Sequence, residues 1–124
     1  MALTSEENNA TYVIRRYQNG ELLINDETYT ESLFVYSSTL EKWPVANMTE
    51  IKSEHIDMLL AHQPEVIILG TGHKMHVPSR ELIHQAGLQG IGIEFMNTEQ
   101  ACSTYNLLAS DGRPVLGAFI INNA

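Results

Sequence analysis

Apolar and polar positions along this chain follow two different rhythms. Over roughly the first forty residues they alternate in short runs broken by turn chemistry. Beyond residue 50, short apolar runs alternate with stretches of helical spacing. Tyr12-Val-Ile-Arg-Arg-Tyr17 is rich in β-branched and aromatic side chains, and Leu22-Leu-Ile24 follows after Gln18-Asn-Gly-Glu21. The Asn19-Gly20 pair suits the two left-handed positions of a tight hairpin turn, so two antiparallel strands are predicted. Asn25-Asp26 turns the chain again before Glu27-Thr-Tyr-Thr30, and Ser32-Leu-Phe-Val-Tyr36 reads as another strand.

The remainder alternates between strand and helix. Ile56, Leu59 and Leu60 lie at helical spacing within 51–61, with Thr49 or Ser53 as the cap and Pro64 blocking continuation. Glu65-Val-Ile-Ile-Leu69 is a continuous apolar run ending at Gly70, as expected of a strand covered on both faces. Pro78 fits the first turn of a helix containing Leu82, Ile83 and Ala86, and Gly87 is expected to close it. Gly90-Ile-Gly-Ile-Glu-Phe-Met96 is the next strand. Asn97-x-x-Gln100 resembles a capping box opening a helix from Thr98 to about Ala109. Asp111-Gly112 turns into Val115-Leu-Gly-Ala-Phe-Ile-Ile121, the last strand. The fold class is therefore α/β with an α+β-like start: antiparallel strands first, then βαβαβ, giving a mixed sheet with helices packed on it. Residues 1–10 are polar and expected to be flexible, and 11–124 to form one domain.

Charge and composition narrow the function classes. Seven basic against fifteen acidic side chains leave a formal charge of −8. Such a surface repels phosphate backbones and anionic lipid, so neither nucleic acid nor a membrane surface is an expected partner. No apolar run approaches the roughly 20 residues that span a bilayer. Cys102 is the only cysteine, which excludes an intrachain disulfide and suits a reducing compartment. The first residues have neither the basic and apolar segments of a signal peptide nor the arginines of a mitochondrial presequence. The expected location is the cytoplasm.

Candidate chemistry gathers where parallel strands end. In an open α/β sheet, ligands bind in the crevice beyond the carboxyl ends of the strands. Gly70-Thr71-Gly72 follows one such strand, and Met96-Asn97-Thr98 leads from another into a helix N-terminus. If the strands are neighbours, the two loops face each other, and free N–H groups there would favour a small anion or a polarised carbonyl. Gly70-x-Gly72 has Met75 where a third glycine would stand, so the dinucleotide fingerprint fails, and no Walker lysine pattern exists. The alternative reading is that both glycines only permit a tight strand exit. His73 and His76 have no third ligand in sight, so no metal or cofactor is expected.

Glu94 lies between Ile93 and Phe95, where a carboxylate must be paired, raised in pKa or at the exposed end of the sheet. It reads either as a general acid/base or ligand anchor, or as the buried ion partner of Arg113. Cys102 reads as a buried inert thiol, and Trp43-Pro44 as a core anchor. The candidate crevice thus comprises Gly70, Thr71, Gly72, Glu94, Thr98, Asn106 and Arg113. No catalytic residue stands out, because no nucleophile–base pair can be assembled from the chain.

Several segments occur in one order: Trp43-Pro44, Pro64-Glu65-Val66-Ile67-Ile68-Leu69-Gly70-Thr71-Gly72, Gly90-Ile91, Glu94-Phe95-Met96-Asn97-Thr98, Ala101-Cys102-x-Thr104-Tyr105-Asn106-x-Leu108 and Gly112-Arg113. Together they resemble the MTH nine-three-eight-like domain family, also catalogued as domain of unknown function four-nine-eight. The resemblance runs from about Tyr12 to Ile121. It implies a three-layer fold around a central mixed sheet and no established activity for most members. One eukaryotic branch is mitochondrial complex I assembly factor three, which acts by association with other assembly proteins; another is linked with adipogenesis. No catalytic constellation comes with the resemblance. It therefore points to a protein-binding or assembly-factor-like module with protein partners. The alternative is a small-molecule binder or enzyme using the crevice near Gly70–Gly72, Glu94 and Arg113.

Overall fold

The computed structural model describes residues 10–122. The expected flexible segment therefore lies almost wholly outside the described residues. The chain opens with β1 (Ile14–Gln18), β2 (Glu21–Ile24) and β3 (Glu27–Tyr29), an antiparallel three-stranded sheet in that order. Asn19 (φ 54°) and Gly20 (φ 73°) make the β1–β2 turn, as the Asn-Gly pair predicts, and Asn25 (φ 52°) turns β2 into β3.

β4 (Leu33–Tyr36) and β5 (Thr39–Lys42) form a second hairpin that belongs to a different, five-stranded sheet. β6 (Val66–Gly70), β7 (Gly92–Met96) and β8 (Val115–Phe119) complete that sheet in the order β5-β4-β8-β6-β7. β6 lies inside the sheet, between β8 and the edge strand β7, and pairs in parallel with both, whereas β4 meets β8 antiparallel. The expected mixed sheet is present, and the β6 and β7 segments are adjacent and parallel.

Three layers follow from the alternation of side chains along these strands. On one face Phe34, Ile67, Leu69, Leu116 and Ala118 pack with Ile56, Leu59 and Leu60 of α1 (Ser53–Leu60) and Leu82 and Ala86 of α2 (Arg80–Gly87). On the other, Leu33, Val35, Ile68, Val115 and Phe119 pack with Ala101, Cys102 and Tyr105 of α3 (Thr98–Ser110), and with Ile14, Leu22 and Ile24 of the small sheet. Burial on both faces explains why β6 reads as an unbroken apolar run. Gly117 has no side chain because one there would lie 2.5 Å from Phe119 and 2.8 Å from Tyr105, whose rings meet edge to face.

Helix ends differ from the expectation in detail. A 3-10 turn, Met48–Glu50, precedes α1, and Asn47 caps that turn. α1 begins after Lys52, whose N–H donates to His55 Nδ1 at 2.9 Å, so neither Thr49 nor Ser53 is the cap. Pro78 stands one residue ahead of the cap Ser79, whose hydroxyl accepts from Leu82 N–H at 3.4 Å. Gly87 remains in the helix, and the reversal falls instead at Gly90 (φ 75°), with Ile91 N–H donating to Ala86 C=O. Trp43 is fully buried and donates from Nε1 to His55 C=O at 3.0 Å, anchoring the segment before α1 to the core.

Candidate functional site

The carboxyl ends of β6 and β7 do meet, but the meeting point is a sealed joint. Gly70 continues into Thr71-Gly72, which runs past the start of α3. Thr98 is completely buried there; its hydroxyl accepts from Gly72 N–H at 2.9 Å and donates to Ile120 C=O at 2.7 Å. Thr98 N–H donates to Gly72 C=O, and Thr71 N–H donates to Met96 C=O. A methyl group on Gly70 would lie 2.9 Å from Thr98 Oγ1 and 3.0 Å from its Cα, so glycine is what allows α3 to approach this closely.

The helix N-terminus is likewise supplied from within the chain. Asn97 accepts from Gln100 N–H through its side chain at 2.8 Å, and its carbonyl accepts from Ala101 N–H. With Thr98 N–H also engaged, two of the donors expected to face an anion, those of Thr98 and Gln100, bond to the chain itself. Thr71, also buried, donates to Lys74 C=O at 2.8 Å and accepts from His76 N–H at 3.0 Å. It shapes the exposed 73–77 loop. His73 and His76 lie on this irregular loop, and no metal-binding cluster of His, Cys, Asp or Glu occurs among the described residues.

Two residues that sequence reasoning did not single out complete the joint. Asn122 touches Gly72 and accepts from His73 N–H at 3.3 Å, while its Nδ2 donates to Ala46 C=O at 3.2 Å. Tyr17 of the small sheet donates to Asn122 C=O at 2.6 Å, and its phenol pKa is raised by burial. In Ile120-Ile121-Asn122 a polar residue directly follows an apolar run, the one sequence signal that marks Asn122.

The other candidates lie apart from this joint. Asn106 accepts from Ile14 N–H at 3.0 Å and donates to Ile14 C=O at 2.7 Å, so its amide pairs with β1 as a strand neighbour would. Arg113 sits where β8 begins, at the opposite end of the sheet, and holds Glu65 at 2.8 Å in an exposed two-nitrogen ion pair. That pair keeps the guanidinium above its ordinary pKa, chiefly through the hydrogen bond to Glu65. Arg113 also borders a cavity of about 270 Å³ together with Tyr36, Tyr105 and Pro114.

The Glu94–Arg113 ion pair expected from sequence is therefore replaced by Glu65–Arg113. Glu94 is exposed on β7 because β7 is the sheet's edge and α3 packs mainly over β6 and β8. Cys102 is buried, as expected, and burial, with Glu99 nearby, pushes its thiol up to about 12, where no thiolate forms near neutral pH.

This architecture has close counterparts. A 13 kDa major membrane protein of Francisella tularensis subsp. holarctica (strain LVS) is 32% identical over 117 residues, covering 93% of this chain and 95% of the relative. NADH dehydrogenase (ubiquinone) 1 alpha subcomplex assembly factor 3 of Danio rerio is 30% identical over 122 residues, covering 97% and 70%. Among solved structures, a Xanthomonas campestris protein superposes with a TM-score of 0.82 at 34% identity, covering 98% of this chain and 92% of that one. A Bordetella pertussis protein described as a Mth938-like domain gives 0.77 at 22% identity, covering 93% and 86%. The fold is thus Mth938-like. The family model described as a protein of unknown function (DUF498/DUF598) matches residues 14–120, from β1 through β8, and the chain belongs to that family.

Proposed function

We propose that this chain is a protein-binding module that assists assembly of a respiratory NADH dehydrogenase. The observation that carries the reading is the similarity to an NADH dehydrogenase assembly factor over 97% of the chain, both sheets included. The closed joint supports it. Thr98 and Gly72 spend their hydrogen-bonding capacity on each other and on Ile120, Asn97 accepts from Gln100 and Ala101, and a junction so bonded leaves little to offer a substrate. Two further polar candidates, Arg113 and Asn106, are engaged with Glu65 and Ile14.

The proposed compartment is the cytoplasm, in keeping with one buried, unreactive thiol. No helix among the described residues is long and apolar enough to cross a membrane. The net charge of −8 supports a protein partner over nucleic acid. Chemical cross-linking in intact source cells, followed by mass spectrometry of the tagged chain, tests the proposal. Cross-links concentrated on NADH dehydrogenase subunits or their assembly intermediates support it. A chain recovered as a lone monomer, without cross-links to those proteins, contradicts it.

A further inference from the structure

β7 closes one side of the five-stranded sheet and has β6 as its one strand neighbour. Peptide groups alternate in direction along a strand. Met96 C=O accepts from Thr71 N–H at 2.9 Å on the β6 side, so the peptide groups of Ile93 and Phe95 face the free edge. Their side chains pack into the core beside α1 and α2, whereas Glu94 stands exposed on the α3 side. Gly92 leaves open space, since a Cβ there would meet nothing within 4 Å. Beside Met96 opens a shallow hollow of about 720 Å³ lined by Glu99, Gln100, Ser103 and Thr104.

Neither Glu94 nor Glu99 has a salt bridge among the described residues; the pairs there are Lys42–Glu31 and Arg113–Glu65. An unpaired strand edge is a template for another strand, and its charges decide which one. Two copies pairing antiparallel about Glu94 would set Glu94 against Glu94, and like charges directly opposite are destabilising. A second copy in that register is therefore disfavoured, whereas a basic segment gains from the same charge. We infer that the free edge of β7 receives an extended segment of a partner protein bearing Lys or Arg opposite Glu94 and toward Glu99. The inference rests on reading the chain as a protein-binding module and specifies the surface used. Main-chain bonds to Ile93 and Phe95 hold the segment, and the charge pairing selects it.

Two capped seven-residue peptides serve as probes, one alternating Thr with Lys and the other Thr with Glu. Each is titrated into ¹⁵N-labelled protein and into the Glu94→Lys variant, whose full spectrum verifies its fold. The lysine peptide is expected to move the Ile93 and Phe95 amide signals and slow their hydrogen exchange. It should bind the parent protein roughly three- to fivefold more tightly than the glutamate peptide, the size one cross-strand charge pair supports. The preference is expected to reverse in Glu94→Lys. Unmoved Ile93 and Phe95 signals with both peptides, or the same preference in the variant as in the parent, overturns the inference. Reversal alongside a failed cellular cross-linking experiment would keep the edge site and remove the NADH dehydrogenase partner instead.

Discussion

At the scale of single residues, Thr98 is the pin of the structure. One hydroxyl joins the start of α3, the exit of β6 and the segment after β8, by accepting from Gly72 N–H and donating to Ile120 C=O. Thr98→Val keeps the shape and leaves both backbone groups buried without that partner. Each such loss costs about 1–3 kcal/mol. The variant is predicted to unfold several degrees below the parent in a thermal melt, while Thr98→Ser, which keeps the hydroxyl, falls by much less. Arg113 presents the opposite case. Its ion pair with Glu65 is half exposed on both sides, and such pairs contribute little to stability. Glu94 is instructive too. Its flanking apolar residues suggested burial, but Ile93 and Phe95 point to the face opposite Glu94, and only the position of β7 at the edge determines what covers that other face.

At the scale of elements, the small sheet is held to the large layer by an amide that acts as a strand. Asn106 gives and receives one hydrogen bond with the Ile14 backbone. Asn106→Ala should loosen β1–β3 locally before the whole molecule unfolds. Hydrogen exchange is the measurement: amides of β1 and β2 are expected to exchange faster, while those of β6 and β8 keep their protection. Equal acceleration everywhere would mean that the two sheets unfold as one unit. Much of this element order was legible beforehand. Asn-Gly turn chemistry is local, and the apolar run of β6 and the Asn97 cap carry their own signals. What escaped reading depends on distant partners or weak patterns. Thr39-Leu-Glu-Lys42 is too short and polar to stand out, and it becomes β5 by pairing with β4. The division into two sheets follows from β4 meeting β8, more than 75 residues further on, a pairing no local window contains. The candidate residues Gly70, Thr71, Gly72 and Thr98 lie together where β6 ends and α3 begins. Their mutual satisfaction was not readable, because it depends on Asn122 and Ile120 arriving from the end of the chain.

At the scale of the whole molecule, burial links stability to alkaline pH. Cys102 and Tyr105 are both raised to about 12 by desolvation, from ordinary values of 9.0 and 10.0. The folded state therefore keeps protons that the unfolded chain releases first. Where the native state binds more protons, stability falls as pH rises. The contribution of both groups is complete below pH 9 and is lost progressively between about 9 and 12. Denaturant midpoints should be flat with respect to these groups up to pH 9 and fall above it. In Cys102→Ala the onset of that fall is expected to move toward pH 10, whatever the variant's absolute stability. An unchanged slope between pH 9 and 10 would mean that the thiol is not desolvated.

The same closure that buries these groups leaves the outer surface, and the β7 edge within it, as the part of the molecule free to act on others. The most direct measurement is the amount of assembled NADH dehydrogenase in membranes of source cells lacking this chain, resolved on native gels and stained for NADH oxidation. The account predicts a marked loss of the assembled enzyme with accumulation of smaller intermediates, reversed when the chain is re-expressed. Normal amounts of the assembled enzyme in cells without the chain would contradict it.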